Sequence, residues 1–167
     1  MMPARVDEML AAYKECVGRC KYLELQIKLY NSDIISLERE AVKNLAYASG
    51  NGEQGMPRGS SVGNPTERMG IMLASGYEQP ELKEKRNELN EMMDEYREKM
   101  LVVHFVGAWL EGLTEKERWM ITGKTFEGKT YRELIVDYRS RYGENCSRDK
   151  LRELRKAAMK KIYDMAS

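Results

Sequence analysis

Apolar residues recur every three and four positions from the start of the chain: Val6, Met9, Tyr13, Cys16, Cys20, Leu23, Ile27, Tyr30, Ile34, Leu37 and Ala41. Alternating steps of three and four place them on one stripe of an α-helix, the seam of a coiled coil. A continuous helix over Pro3 to Asn44 is on the order of 60 Å long at 1.5 Å per residue, longer than any core this chain can build around it. The seam therefore needs a partner helix, and Tyr13, Leu23, Ile27, Tyr30, Ile34 and Leu37 are the candidate oligomerisation residues. The pattern stops over residues 48–64, ASGNGEQGMPRGSSVGN, whose glycines and Pro57 predict a flexible loop. Its Met56–Ser60 run reads either as an anion-binding loop beside Arg58 or as a plain connector. Asn64, Pro65 and Glu67 then form a helix-start signal, predicting a short helix to about Ala74 that Gly76 ends.

Pro80 opens a second long pattern through Leu82, Leu89, Met92, Tyr96, Val103, Val106 and Leu110, which predicts a helix of about thirty residues. Two long helices joined by a loop predict an antiparallel hairpin, self-contained or completed by a second subunit. Between Leu101 and Leu110 the second helix turns apolar on all sides, so that end is expected to be buried against the segment that follows. His104 lies inside this run and reads as a packing histidine.

Shorter elements follow. Thr114 with Glu117, and Thr130 with Glu133, are capping-box pairs that each predict a helix start. Gly123 to Gly128 are expected to break the first of these helices, and residues 142–146 to form the turn after the second. Ser147 caps a final helix with Leu151, Leu154, Ala158, Ile162 and Met165 on one stripe and Arg148, Lys150, Arg152, Arg155, Lys156, Lys160 and Lys161 on its other faces. The expected fold is all-α, with residues 1–112 as a long helical, coiled-coil oligomerisation part and 113–167 as a small helix-turn-helix domain.

Charge sharpens this division. The formal net charge of the 167 residues is +1, yet residues 1–112 carry 14 Lys and Arg against 18 Asp and Glu, net −4, and residues 113–167 carry 14 against 9, net +5. Residues 147–161 alone hold seven basic and two acidic groups. Such asymmetry points to an anionic partner. A basic amphipathic helix that ends a three-helix run suits a helix-turn-helix, whose last helix enters the major groove of duplex DNA. Arg148, Asp149 and Arg152, in the first turns beyond the Ser147 cap, are the candidate base readers. Lys150, Arg155 and Lys156, with Lys129, Thr130 and Arg132 at the preceding helix start, are the candidate phosphate contacts. The same pattern also suits a solvated basic helix packed on the hairpin.

Other classes find little support. The longest apolar run, Met100 to Leu110, is far shorter than the roughly 20 residues of a membrane span. No basic-then-apolar segment opens the sequence, so the expectation is a cytoplasmic protein without a membrane partner. Cys16 and Cys20 lie on the seam, which predicts reduced, packed thiols, and with a single histidine they form no zinc-ligand set. There is no P-loop, no dinucleotide fingerprint and no nucleophile–histidine arrangement, so neither a catalytic site nor a cofactor is expected.

Three stretches carry a resemblance. Leu113-Thr114-x-x-Glu117-Arg118, the run Phe126 to Ile135, and Ser147-Arg148-Asp149-Lys150-Leu151-Arg152 with Ala158 to Ile162 resemble region 4 of sigma-70-type factors, over about 55 of the 167 residues. That resemblance implies a helix-turn-helix that reads a promoter element beside RNA polymerase. The chain departs from the family between Glu133 and Ser147, where it is several residues longer, and no counterpart of the promoter-melting region precedes it. The layout as a whole is similar to the ArpU/RinA-like regulators of phages of Gram-positive bacteria. This implies a late-gene activator in the bacterial cytoplasm, acting on double-stranded DNA as a homo-oligomer. Two alternatives stay open: a small-terminase-like subunit that recognises phage DNA for packaging, and a coiled-coil module that contacts RNA polymerase without binding DNA.

Overall fold

The structure is a computed structural model describing residues 3–50 and 79–167, with side chains described over 4–44 and 79–167. The expected loop from 51 to 64, its Met56–Ser60 run and the helix start at Asn64 lie outside the described residues. Within them the fold is all-α: a long helix α1 (Pro3–Gly50) and a second helix α2 (Pro80–Glu111) precede the short helices α3 (Glu115–Ile121), α4 (Tyr131–Tyr142) and α5 (Arg148–Ala166). No described helix is long and apolar enough to cross a membrane. Helix α1 continues to Gly50, past the position where the glycine-rich composition predicts a loop.

The chain divides into two compact units, one of Met1–Tyr22 with Tyr96–Ser167 and one of Leu23–Glu95. These limits differ from the 112/113 boundary read from the sequence, because the C-terminal helices share their core with the first turns of α1 and the last turns of α2. In the second unit Ile34, Leu82 and Leu89 are buried together, with Ile27, Tyr30, Leu37 and Met93 packed against them. Lys85 reaches Asp33 at 3.6 Å and Arg86 pairs with Glu38, so charged pairs flank the seam. Ile27, Tyr30, Ile34 and Leu37 of the seam thus pack against the chain's own second helix.

The first unit holds two adjoining clusters. In one, Val6 and Leu10 of α1 meet Val106 and Trp109 of α2, Leu113 and Ile121, and Ala158 and Ile162 of α5. In the other, Met120, Leu134, Tyr138 and Leu151 join α3, α4 and α5. Tyr13 packs into the first cluster with its ring 4.8 Å from that of Phe126. Cys16 and Cys20 are buried thiols. The expected all-round burial of the α2 end is corrected: Val106 and Trp109 are buried, but Leu101 is 58 % and Phe105 45 % exposed. His104 is likewise exposed rather than packed. The reason is geometric, since α1, α3 and α5 cover one side of this helix and no described element covers the other.

Local chemistry fixes the short helices. Thr114 and Thr130 each accept a hydrogen bond from the backbone N–H three residues on, while Glu117 and Glu133 accept from the cap's own N–H, so both capping boxes form as the sequence predicts. Arg118 donates from Nε to the Leu110 carbonyl at 2.9 Å and from its Nη2 to those of Glu111 and Leu113. It thereby gives further donors to carbonyls at the end of α2 and just beyond it. The break expected from Gly123 to Gly128 is replaced over Thr122–Phe126 by a π-helical turn, and only Glu127 onward leaves the helix. Gly123 permits it: a Cβ there would stand 2.7 Å from Leu134 Cδ2. The widened turn points Phe126 at Tyr13. Helix α4 ends at Tyr142, where Gly143 takes the left-handed conformation at φ 68° that glycine adopts without a Cβ penalty.

Candidate nucleic-acid interface

Helix α5 begins where Ser147, in an extended conformation, accepts a hydrogen bond from the Lys150 N–H at 3.2 Å. From that start, 100° per residue fixes which side chains face inward. Leu151, Ala158 and Ile162 are fully buried and Leu154 is half-buried, while Arg148, Asp149, Lys150, Arg152, Arg155, Lys156 and Lys160 are exposed. One face of the helix is therefore anchored in both clusters and the rest is a basic surface. Arg148 and Arg152 lie on one flank, Lys150 and Lys161 on the other, and Asp149, Lys156 and Lys160 on the face opposite Ala158.

The candidates differ in how much of their charge is available. Arg132, Arg155, Lys156 and Lys160 have no ion-pair partner among the described residues. Arg148 lies over the Tyr131 ring, and Arg152 lies over the same ring while Nη1 stands 3.5 Å from Asp149 Oδ1. Lys150 sits over the Tyr138 ring at 5.7 Å.

Three candidates are already engaged in local structure. Lys129 places Nζ 2.8 Å from both Asp137 Oδ2 and Glu127 Oε2, and these bonds, Asp137 first, raise its pKa above the usual lysine value. Its charge is paired within the chain by these two carboxylates. Thr130 uses its hydroxyl in the α4 capping box, whose Glu133 carboxyl is held below its ordinary pKa by the Thr130 N–H and then the Thr130 hydroxyl. Ser147 spends its oxygen on the α5 cap. The two caps aim their helices, and Ser147 keeps its hydroxyl proton to donate.

Two residues at this surface are not among the sequence candidates. Lys124, in the π-helical turn, lies 4.8 Å from the centre of the Tyr131 ring and donates to the Lys129 carbonyl at 3.0 Å. Tyr131 itself gathers Lys124, Arg148 and Arg152 about one ring. A tyrosine directly after a helix cap was the available signal, but its cationic neighbours come from two other elements. No family model, curated protein or solved structure matches this chain. The chemistry of the surface is then the guide to its use.

The α5 surface is held by polar contacts at both ends. Behind its start, Tyr138 donates to Glu144 Oε2 at 3.3 Å and Lys116 approaches the same oxygen at 3.4 Å, which ties the turn before α5 to α3. Towards its end Lys161 pairs with Glu117 Oε1 at 2.7 Å. Burial pushes the Glu117 carboxyl up, but the bonds from Lys161 and Thr114 outweigh it and hold the net pKa below the ordinary carboxylate value. Among the described residues no three His, Cys, Asp or Glu side chains are grouped to hold a metal ion.

The six seam residues have other neighbours. Tyr13 faces Phe126, Leu23 is buried, and Ile27, Tyr30, Ile34 and Leu37 face Leu82, Leu89 and Met93 of the same chain. Tyr13, Ile27, Tyr30 and Leu37 are only partly buried by these neighbours.

Proposed function

We propose that this chain is a sequence-specific DNA-binding regulator whose reading element is α5. One observation supports the reading: α5 buries a single apolar stripe in a core shared with α3 and α4, and turns outward a set of cations of which Arg155, Lys156 and Lys160 have no described carboxylate partner. A helix of this kind fits the major groove, and arginine forks match guanine O6 and N7. Arg148 and Arg152 are assigned to bases, with Asp149 as an acceptor for cytosine N4, while Arg132, Lys150, Arg155 and Lys156 are assigned to phosphates. Lys129 is withdrawn from the phosphate set because Glu127 and Asp137 hold it.

The resemblance to sigma region 4 and to phage late-gene regulators extends the proposal to transcription activation beside RNA polymerase in the bacterial cytoplasm. A homo-oligomer stays part of the proposal. The test is a mobility-shift assay of the full chain on fragments of its source genome across a salt series, with Arg148→Ala/Arg152→Ala as control. A preferred fragment, bound in a salt-dependent way and lost in the double variant, supports the reading. Its position beside a promoter or beside a packaging site separates activator from packaging subunit. Absence of any preferred fragment at low salt overturns it in favour of a protein-contact module.

A further inference from the structure

The basic surface of α5 is organised around one ring. Tyr131 is the first residue of α4, directly after the Thr130 cap, and packs half-buried against the cluster of Met120, Leu134, Tyr138 and Leu151. Over it lie Lys124 Nζ at 4.8 Å, Arg148 Cζ at 5.5 Å and Arg152 Cζ at 5.8 Å from the ring centre. Arg148 and Arg152 are one helical turn apart on α5, whereas Lys124 comes from the π-helical turn. Three like charges so close together repel, and the negative face of an aromatic ring offsets part of that repulsion.

The ring also differs from a carboxylate in what it leaves free. An ion pair occupies the donors of a cation, as Glu127 and Asp137 occupy those of Lys129. A cation held over a π-face keeps its in-plane N–H groups available, and a guanidinium has a planar fork of them; Arg148 keeps its whole fork, and Arg152 all of it but Nη1, which stands 3.5 Å from the exposed Asp149 Oδ1. Freely rotating arginines must be ordered before they can meet a base edge, at an entropic cost that packing on a ring removes in advance.

Building on the DNA-binding reading, we propose that Tyr131 is a positioning residue for base readout: its ring holds Arg148 and Arg152 with their forks ready for guanine edges. Tyr131 contacts no base. Phosphate contacts by Arg132, Arg155 and Lys156 do not depend on it, so its removal lowers affinity for the preferred site and spares affinity for random DNA. A cation–π contact at an exposed site corresponds to about a two- to fivefold effect per arginine, hence roughly five- to twentyfold for the two.

The experiment compares the full chain with Tyr131→Phe and Tyr131→Leu on the preferred fragment and on random duplex of equal length. It is paired with NMR of the Arg148 and Arg152 Nε–H groups without DNA. Tyr131→Phe should bind within about twofold of the parent, since the ring is kept. Tyr131→Leu should lose roughly five- to twentyfold on the preferred fragment and less than about twofold on random DNA. The Nε–H signals of both arginines should show restricted motion and ring-current shifts in the parent, and lose both in Tyr131→Leu. An unchanged ratio of preferred to random affinity in Tyr131→Leu, or equal losses on both DNAs, would overturn the proposal and leave the DNA-binding reading standing. Should Tyr131→Leu fail to fold, free rotation of the two Nε–H groups in the parent chain overturns it alone. A parent chain that prefers no fragment removes the DNA-binding reading first, and the proposal with it.

Discussion

Glu117 is the charge on which the C-terminal helices most depend, and Glu117→Gln isolates its contribution. The carboxylate accepts the Thr114 N–H at 2.9 Å in the α3 capping box and pairs with Lys161 at 2.7 Å, with only 8 % of its side chain exposed. Glutamine is nearly isosteric and can still accept from Thr114, so the box persists and the ionic part is lost. Hydrogen bonds to charged groups are worth about 1.5–3 kcal/mol and neutral ones about 1 kcal/mol. The Lys161 side chain is 47 % exposed, so solvent screening lowers the ionic part, and a cost of about 1–2 kcal/mol follows. Glu117→Ala also removes the box, adding about 1 kcal/mol. For a chain of this size each kcal/mol lowers the thermal midpoint by about 2–4 °C, so Glu117→Gln should melt roughly 2–8 °C lower at pH 7.

The pH dependence provides an independent check. The folded-state pKa of Glu117 lies below its ordinary value, so its stabilisation is complete above about pH 4.3, the unfolded value. It is lost as pH falls through the lower, folded value. The gap between parent and Glu117→Gln, followed by circular dichroism melts, should be constant from pH 7 to about pH 5 and shrink below it. Lys161→Met in the Glu117→Gln background should then add little, through the coupling of a shared pair. A gap that stays the same at pH 2.5, or a Glu117→Gln chain as stable as the parent, would refute this account of the pair.

Other substitutions probe packing and binding. Gly123→Ala should cost about 1–3 kcal/mol in a denaturant melt, because its Cβ meets the buried Leu134. Gly112→Ala should cost less in the same assay, since the Met165 thioether in its way can swing aside. Residues 113–167 alone should show far less helix by circular dichroism than their share of the full chain, since Val6, Leu10, Val106 and Trp109 no longer cover Ala158 and Ile162. Arg132→Ala and Lys156→Ala should each flatten the salt dependence of DNA binding by about one unit of slope, on preferred and random sequence alike. Lys129→Ala should leave that slope unchanged, because its charge is already paired.

Those features that depend on neighbours in sequence are legible in the sequence. The two Thr–Glu capping boxes, the Ser147 cap, the turn over residues 142–146 and the inward stripe of Leu151, Ala158 and Ile162 all lie within one or two helical turns, where 3.6-residue periodicity and cap chemistry decide the outcome. Features that need a distant partner are not. Gly123 reads as a helix breaker until Leu134 is placed against it and Phe126 is turned toward Tyr13. Lys129 reads as a phosphate ligand until Asp137, two turns along α4, closes on it. His104 and Phe105 read as core because their own neighbours are apolar, while solvent exposure depends on which helices cover α2. The seam from Tyr13 to Leu37 shows the same ambiguity, as a heptad records that a partner helix exists and not which chain supplies it.

The cluster that unites Val6 and Leu10 with Ala158 and Ile162, and the hydrogen bond from Tyr163 to Asp7 at 2.8 Å, join stretches separated by some 150 residues. A ribosome adding roughly 5–20 residues per second takes on the order of 10–30 seconds to travel that distance. For much of that interval the first turns of α1 lie outside the tunnel before α5, which completes their cover, has been made. Closure of this cluster waits until α5 has been made and freed, and until then the newborn segment can be met by a chaperone or by the matching helix of a neighbouring chain on the same messenger.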